Sequence, residues 1–528
     1  MIEIPNQNLI GFQYSAESAH SFQTFNPITQ KATPWTFKCA TVEEASLATR
    51  KAAYAFESFQ ALTLIERAAF LRAIAIEILA LGDFLIDTYC TETGLPAARA
   101  MGERGRTIGQ LEGFATALEN GQFLDPVIDR EDLERSPIPK VDIRKINYPL
   151  GPIVVFGASN FPLAYSTAGG DTASALATGC PVIVKGHPMH AATGALVASA
   201  ILKAAKDTGM PEGVFSNLNS NSYELGQQLV KDPLIKGVGF TGSVAGGTAL
   251  YQLAQSRSEP IPVFAEMGSV NPIIVLPEAL DLGATDWAEA YAASIALGSG
   301  QFCTNPGLIF CVEGPKTALF ISHLKAAFSK ISPTVMLHPN IHAAYNKGRG
   351  EVAEKAQLLA TTQPQELKSE NGFGEGAIYE VNATTFAANP SLHLEVFGPM
   401  SLVVRCKNIA ELIPLIANLE GQLTGTILGT EKAIAAQPVL VNTLKDRVGR
   451  IIFNGVPTGV EVCAAMQHGG PFPASSDARF TAVGVHAMKR WLRPISFQNW
   501  PQLQLPLALQ EGNPLKIWRL VDGSLSLD

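Results

Sequence analysis

Over most of this chain, short continuous apolar runs alternate with longer stretches of helical period. Ile153-Val154-Val155-Phe156, Pro181-Val182-Ile183-Val184-Lys185, Gly213-Val214-Phe215 and the stretch 235–240 are too short for helices. Apolar at consecutive positions, they predict strands buried on both faces. The Ala-rich pattern through 191–205 and the segment around Gly226 predict the helices between them. Strands alternating with helices imply right-handed β-α-β units in a doubly wound parallel sheet. A second alternation follows Glu266, with strand runs at 272–276, 308–312, 402–404 and 450–453 and a helix over 409–419.

The ends of the chain read differently. Residues 41–81 predict helix, with Thr41 able to cap it and Glu43 and Glu44 in its first turn. The stretch 97–120 predicts another helix, carrying Arg104, Arg106 and Gln110. Residues 126–150 are rich in Pro and charge and alternate at Val141-Asp142-Ile143-Arg144-Lys145-Ile146, the mark of an exposed strand or arm. From 497 onward Trp500, Leu503, Leu505, Leu507 and Leu509 come in near alternation, a second candidate for such an arm.

Composition narrows the classes. A chain of 528 residues exceeds the roughly 250–300 at which a single core stops growing, so more than one domain is expected. With 47% apolar and 16% charged residues it is globular, and a net charge of −8 argues against a nucleic-acid partner. Seven cysteines, at 39, 90, 180, 303, 311, 406 and 463, are odd in number and scattered, as reduced thiols are. The start lacks a signal-peptide pattern and no run reaches the ~18 apolar residues of a membrane helix, so a cytoplasmic protein without membrane contact is expected. His187-Pro188-Met189-His190 has no acidic residue or cysteine beside it, and no metal is expected there.

The candidate chemistry gathers around one thiol. Gly298-Ser299-Gly300-Gln301-Phe302-Cys303-Thr304-Asn305-Pro306 sets a cysteine just after two glycines, which permit the dihedrals of a cleft floor. An Ala-rich helix precedes it, with Thr285 or Asp286 as a possible cap and Gly298 as its stop. A lone cysteine is more often a small buried hydrophobe. This one has company in Ser159-Asn160-Phe161-Pro162, Phe240-Thr241-Gly242-Ser243, Glu266-Met267-Gly268 and Glu395-Val396-Phe397-Gly398-Pro399. Taken in that order, from about residue 26 to about 493, these resemble the aldehyde dehydrogenase family.

That resemblance implies an α/β fold: a Rossmann-like cofactor domain (1–125 and 151–267), an α/β catalytic domain (268–490) and a β oligomerisation arm (126–150 with 491–528) that joins a homodimer or homotetramer. It implies that Cys303 attacks an aldehyde and that the Asn160 amide and the Cys303 backbone N–H hold the oxyanion. Glu266 matches the family's general base; between Phe264-Ala265 and Met267-Gly268 its carboxylate is expected to be desolvated, with a raised pKa. Where relatives often read Gly-Gly-Lys, Gly268 is followed here by Ser269-Val270. Gly242 and Ser243, with Gly246-Gly247 beyond, are expected to set a helix N-terminus against the cofactor pyrophosphate. Glu395 matches the ligand of the nicotinamide ribose, Phe397 the aromatic beside the ring, and Lys185 the residue that reaches the adenosine ribose. No Gly-x-Gly-x-x-Gly follows the first strand, which fits the family's unusual pyrophosphate site.

Substrate and cofactor choice rest on finer likeness. Segments 156–162, 168–176 and 469–475 look most like the branch that oxidises 2,5-dioxopentanoate to 2-oxoglutarate, and its bacterial fatty-aldehyde relatives. A substrate carboxylate needs a cation or several donors; Arg106 with Gln110 is the candidate, unless Arg106 pairs with Glu103 or Glu112. A medium- or long-chain aldehyde is the alternative substrate. A CoA-acylating enzyme has no need of Glu266, and a non-catalytic scaffold none of Cys303, Asn160 and Glu266. Many NAD-using relatives read Lys-Pro-Ser-Glu where this chain has Lys185-Gly186-His187-Pro188. Without that glutamate, Lys185 and His187 are expected to meet a 2′-phosphate, favouring NADP over NAD. The other reading is that His187 only shapes the loop and both cofactors are accepted.

Overall fold

The computed structural model describes residues 3–363 and 372–528. Its first sheet runs, edge to edge, Val263–Glu266, Gly237–Thr241, Ile153–Phe156, Val182–Gly186 and Phe215–Asn219, then Asn8–Ile10 and Gln13–Ser15. The first five strands are parallel and the last two pairings antiparallel. The earliest parallel strand, Ile153–Phe156, is central; the next two lie on one side of it and the last two on the other. That reversal opens a crevice beyond the carboxyl ends of the strands, the place where doubly wound sheets take ligands. Lys185 and Gly242-Ser243 both lie at this edge.

A second sheet runs Gln357–Thr361, Ala377–Asn382, Met400–Cys406, Leu308–Val312, Ile273–Val275, Gln422–Leu428 and Val448–Phe453. All its pairings are parallel except the first. Helices cover the faces of both sheets, so Ile153–Phe156, Ile273–Val275 and Leu308–Val312 are buried throughout, as their uninterrupted apolar runs require.

The helical stretch 41–81 is two helices, Val42–Ala61 and Leu64–Ala80. Each starts in a capping box, Thr41 with Glu44 and Thr63 with Glu66. The apolar period continues across the break, and only Thr63-x-x-Glu66 marks it. The Ala-rich helix before the thiol begins at Pro277 rather than at Thr285 or Asp286, but loses helical geometry at Gly283.

Ile143–Pro149 pairs antiparallel with Leu492–Gln498 and with Val127–Asp129, and the hairpin Arg519–Val521/Ser524–Ser526 extends the same sheet. The near alternation at 500–509 is not a strand. Pro501 and Pro506 precede the 3-10 turns Gln502–Gln504 and Leu507–Leu509. Proline has no N–H for a sheet ladder, and the turns direct Leu505 and Leu509 inward while Leu503 and Leu507 stay exposed. Residues 485–490, counted with the catalytic domain from sequence, and Trp491, counted with the arm, pack elsewhere: Ala487, Met488 and Trp491 join the core of the first unit. No helix among the described residues is long and apolar enough to cross a membrane, and no three potential metal ligands cluster among them.

Candidate active site

The thiol is held by a strained turn. Gly298, Ser299 and Gly300 all have left-handed φ, of 56°, 57° and 65°. Ser299 carries a Cβ in that region at a cost of roughly 1–2 kcal/mol. Buried, its hydroxyl donates to the Thr334 carbonyl at 3.2 Å. Gly300 packs its Cα onto the Gly398 carbonyl, where any side chain would collide with backbone. Beyond the turn, the Asn271 amide donates to the carbonyls of Cys303 and Asn305, both at 2.9 Å. Ser269, the departure from Gly-Gly-Lys, belongs to this support: its Oγ lies 3.0 Å from Asn271 Oδ1 and 2.9 Å from Gln422 Oε1.

Cys303 is half-buried on the wall of a cavity of about 300 Å³ lined also by Arg99, Arg106, Phe161, Tyr165, Phe302 and Val460. Its Sγ lies 3.8 Å from His468 Nε2. Burial, with the carboxylates of Glu266 and Glu395 adding to it, pushes the thiol pKa up to about 12; its own backbone N–H and Arg106 oppose this. His468 is buried, and desolvation together with Arg450, Arg106 and Arg490 pushes its pKa down to about 3, so the imidazole is neutral.

Asn160 precedes a loop tied to the helix Ala97–Glu119. Buried Glu103 accepts from the backbone N–H groups of Leu163 (2.8 Å) and Ala164 (2.9 Å) and from the Tyr89 hydroxyl (2.6 Å). The Asn160 amide donates to the Gln301 carbonyl at 2.9 Å, two residues before the thiol. Glu266 ends its strand, and its Oε2 is buried with no hydrogen-bond partner among the described residues. Desolvation raises its pKa well above the usual carboxylate range; Arg490 opposes the rise and Asp171 adds to it. Cys303, Asn160 and Glu266 thus converge on one site.

The cofactor candidates lie along the crevice. Ser243 caps the helix Val244–Gln255, its Oγ accepting from Gly246 N–H at 3.2 Å, and Gly242 and Ser243 are exposed. Gly247 lets that helix sit against Met267 and Ala265, and the Thr248 hydroxyl is buried without a partner. Lys185 Nζ donates to the Ser220 carbonyl at 2.7 Å, and burial pushes its pKa down to about 8. His187 Nδ1 accepts from Met189 N–H at 3.3 Å, and its ring stacks on His190 at 5.1 Å. Desolvation, then His190 and Lys185, holds His187 well below the ordinary histidine pKa. Glu395 is exposed as a residue, but its carboxylate turns in against Gly268, where desolvation raises its pKa to about 7. Phe397 lines a small hollow with Glu395, Ser269 and Gly300.

Among the described residues, Arg106 has no acidic partner. It donates to the Val460 carbonyl and, at 3.1 Å, to the Tyr165 hydroxyl. Glu112 instead holds Arg72 at 3.1 Å, and Glu103 faces Arg99 at 3.6 Å. Gln110 is not brought to the cavity: it is buried against Gly170, with neither side-chain polar atom partnered. On the following helical turn, a residue four positions after Arg106 reaches the protein interior instead.

The profile of the aldehyde dehydrogenase family matches residues 14–485. The chain belongs to this family. It is 47% identical over 527 residues to alpha-ketoglutaric semialdehyde dehydrogenase 2 of Azospirillum brasilense, covering 99% of each chain. It is 44% identical over 529 residues to alpha-ketoglutaric semialdehyde dehydrogenase of Acinetobacter baylyi, covering all of both. In fold it superposes on a Thermus 1-pyrroline-5-carboxylate dehydrogenase with bound NAD (TM-score 0.80, 21% identity, 94% of this chain and 92% of that one). Aldehyde dehydrogenases oxidise aldehydes to carboxylic acids with a nicotinamide dinucleotide, and the residues along the crevice fit such a group. A capped helix N-terminus lies open toward it, glycines admit close approach, and an unpartnered hydroxyl and a lysine stand beside them.

Sequence reading missed His468, Arg99 and Arg450. His468 stands immediately before Gly469-Gly470-Pro471, so a histidine leading into paired glycines was the available signal. Arg99 lies over the rings of Phe161 and Phe302 at 4.2 and 4.6 Å, and Arg450 donates to the Pro457 carbonyl at 3.0 Å. Neither stands out from a solvated basic residue in the chain.

With its pKa raised, Cys303 is a thiol at neutral pH in the protein without cofactor or substrate. Its alkylation by iodoacetamide should therefore be slow near neutrality and still climb with pH beyond about 8.5, the ordinary cysteine value. A rate that levels off by about 8.5 would contradict this.

Proposed function

We propose that this aldehyde dehydrogenase oxidises 2,5-dioxopentanoate to 2-oxoglutarate, with Cys303 as nucleophile, Asn160 as oxyanion donor and Glu266 as general base. The reading is carried by a cavity lined by a thiol and by an arginine that has no acidic partner among the described residues, with the buried Glu266 carboxylate, one oxygen of which has no hydrogen-bond partner among them, acting on that thiol. Both 44–47% identical relatives bear the name of that semialdehyde's dehydrogenase.

The thiol sulfur bonds to the aldehyde carbon and the carbonyl oxygen becomes an oxyanion, met by the Asn160 amide and the Cys303 N–H. Neutral His468 takes the thiol's proton as the S–C bond forms and, with its lowered pKa, passes it on to solvent. The bound dinucleotide supplies the hydride acceptor that leaves an acyl thioester on Cys303. Glu266 then takes a proton from water as the water oxygen attacks that carbonyl, and the thiolate departs with the acid as product. Desolvation makes Glu266 a stronger base than an exposed glutamate.

On the cavity wall, Arg106 offers the substrate carboxylate a charge whose present partners are a carbonyl and a phenol. At the cofactor end, Pro188 stands where a glutamate would repel a 2′-phosphate. Lys185 carries charge at neutral pH, and His187, with Nδ1 accepting, donates from Nε2 as a neutral imidazole. These features support NADP over NAD. The strand Ile143–Pro149 and its sheet are proposed to join subunits.

Three measurements test this reading. In Glu266→Gln, mixing enzyme, cofactor and aldehyde should give a rapid burst of reduced cofactor and then turnover slowed ~10²–10⁴-fold. Loss of the burst would reassign Glu266 to activation of Cys303. Across aldehydes of equal length, the wild type should prefer the one with a distal carboxylate. Arg106→Ala should raise KM for that substrate roughly 10-fold or more while leaving the neutral one nearly unchanged; equal effects on both, or a preference for long alkyl aldehydes, defeats the assignment. For the cofactor, kcat/KM at fixed aldehyde should favour NADP, and His187→Ala should narrow the ratio. Preference for NAD in the wild type would sink that choice, and an unchanged ratio in the variant would leave His187 without its role.

A further inference from the structure

Below Glu266 lies a buried ion pair that the reaction scheme does not use. Arg490 Nη2 and Asp171 Oδ1 are 2.8 Å apart, with side chains 2% and 11% exposed. Alternate residues of a strand face the same side, so Phe264 and Glu266 share one face of the sheet, about 7 Å apart. Asp171 and Trp491 lie on that face. A Cβ on Gly239, the residue in register with Phe264, would come 2.8 Å from Asp171 Oδ2 and 3.1 Å from the Trp491 ring. Trp491 packs edge-on against Phe264 at 5.3 Å, and the Arg490 guanidinium lies over Trp491 at 4.8 Å. The pair therefore sits one step along the strand from the general base, on its side of the sheet.

Its geometry is fixed from several directions. Arg490 Nε donates to the Ala487 carbonyl at 3.1 Å, and Nη2 approaches Ser174 Oγ at 3.5 Å. Ser174 Oγ also accepts from Trp491 Nε1 at 2.7 Å. Asp171 and Ser174 project from one helix, Gly170–Thr178, three residues apart and hence on one face. The other titratable groups around Glu266 are Cys303 on its loop, Tyr165 on the Asn160 loop and His468, with Arg106 and Arg450 around them. None supplies Glu266 Oε2 with a hydrogen bond.

We propose that Asp171 and Arg490 are positioning residues whose paired charges set the protonation equilibrium of Glu266, and through it the pH range in which the acyl enzyme is hydrolysed. The inference rests on Glu266 as general base. A buried, unpaired carboxylate is driven toward its neutral form, in which it cannot take a proton from water. The guanidinium one step away favours the ionised form, and the Asp171 carboxylate limits that pull. A lone cation there would make Glu266 too weak a base; without any cation it would stay protonated.

The sign of each effect provides the test. Removing Arg490's charge withdraws support from the Glu266 carboxylate, so the acid limb of turnover moves to higher pH. Removing Asp171's charge withdraws a repulsion, so the limb moves to lower pH. Each shift should be on the order of one pH unit, the scale of a charge–charge interaction between neighbouring buried groups. Steady-state kcat against pH would be measured with propanal, which lacks a carboxylate for Arg106, alongside the burst of reduced cofactor. Asp171→Asn and Arg490→Met should shift the steady-state limb in opposite directions and Arg490→Lys little, with the burst retained in all three. The Asp171→Asn/Arg490→Met double variant should fall between the singles. A merely structural pair would lower activity without opposed shifts, and same-direction shifts or none would overturn the proposal. If Arg490→Met does not fold, a downward shift in Asp171→Asn with Arg490→Lys near wild type supports the proposal, and any other pattern refutes it. In Glu266→Gln the limb should vanish. If it persists at the wild-type position, the general-base assignment has failed, which is distinct from a failure of the pair.

Discussion

Everything at the site depends on the contact between Gly300 and Gly398. The backbone of the thiol loop rests on the carbonyl of a segment leading into the strand Met400–Cys406, with no room for a side chain. Three successive left-handed residues are needed to bring it there, one of them a serine. Such strain persists only where the surroundings over-determine it. Here they do: Asn271 ties down the carbonyls after the turn, and Gln422 Oε1 accepts the Val270 N–H at 2.7 Å on the segment just before Asn271. The thiol is thereby fixed against the second sheet, while Asn160 and Glu266 come from the first. The cavity exists because two separately folded sheets are locked in this relation.

That placement also keeps the site dry, and dryness is the common cause of its titration behaviour. Desolvation is the leading cause of the raised pKa values of Cys303, Glu266 and Glu395 and of the lowered values of Lys185, His187 and His468. Each group is pushed toward its neutral form. For the proposed reaction, which makes a thiolate, an oxyanion and a carboxylate base in turn, this would be disabling without fixed counter-charge. Arg106 and Arg490 supply it, Arg106 opposing the rise at Cys303 and Arg490 the rise at Glu266. A low-dielectric site with oriented cations favours charge only where a cation is aimed.

The same division explains what the sequence disclosed. Strand runs, the Thr41 capping box, and the segments around Asn160, Gly242, Glu266, Cys303 and Glu395 are local, so each could be read within a few residues of itself. The Thr63 break was equally local but lay inside an uninterrupted apolar period that outweighed it. His468 is different in kind. It reaches Cys303 across 165 positions, and nothing near residue 468 records that distance. Gln110 shows the converse error: an i, i+4 step from Arg106 implies a shared helix face, yet one residue lines the cavity and the other is sealed against Gly170. Helical spacing gives direction around an axis, but which part of a face meets the cavity is decided by the elements packed on it. At 500–509 two prolines, each visible in the chain, carried more weight than the alternation around them.

The cationic groups near the thiol serve two demands that pull against each other. Arg99 is offset by Glu103, whereas Arg106 and Arg450, among the described residues, meet only neutral groups. With no acid among the described residues to neutralise it, Arg106 opposes the rise in the thiol pKa. An incoming carboxylate would claim that charge and withdraw part of its support from the sulfur. The conflict is eased by a second charge. In the proposed reaction a bound carboxylate does not take all support from the thiol, because the Arg450 guanidinium also favours the ionised sulfur. Under the proposed assignment the charge then passes from sulfur to oxygen, beside Asn160 and the Cys303 N–H, where neutral donors are sufficient. For that reaction, one unneutralised arginine on the cavity wall with another acting on the same thiol lets an anionic aldehyde bind without forfeiting the proposed nucleophile, which a single arginine performing both tasks could not.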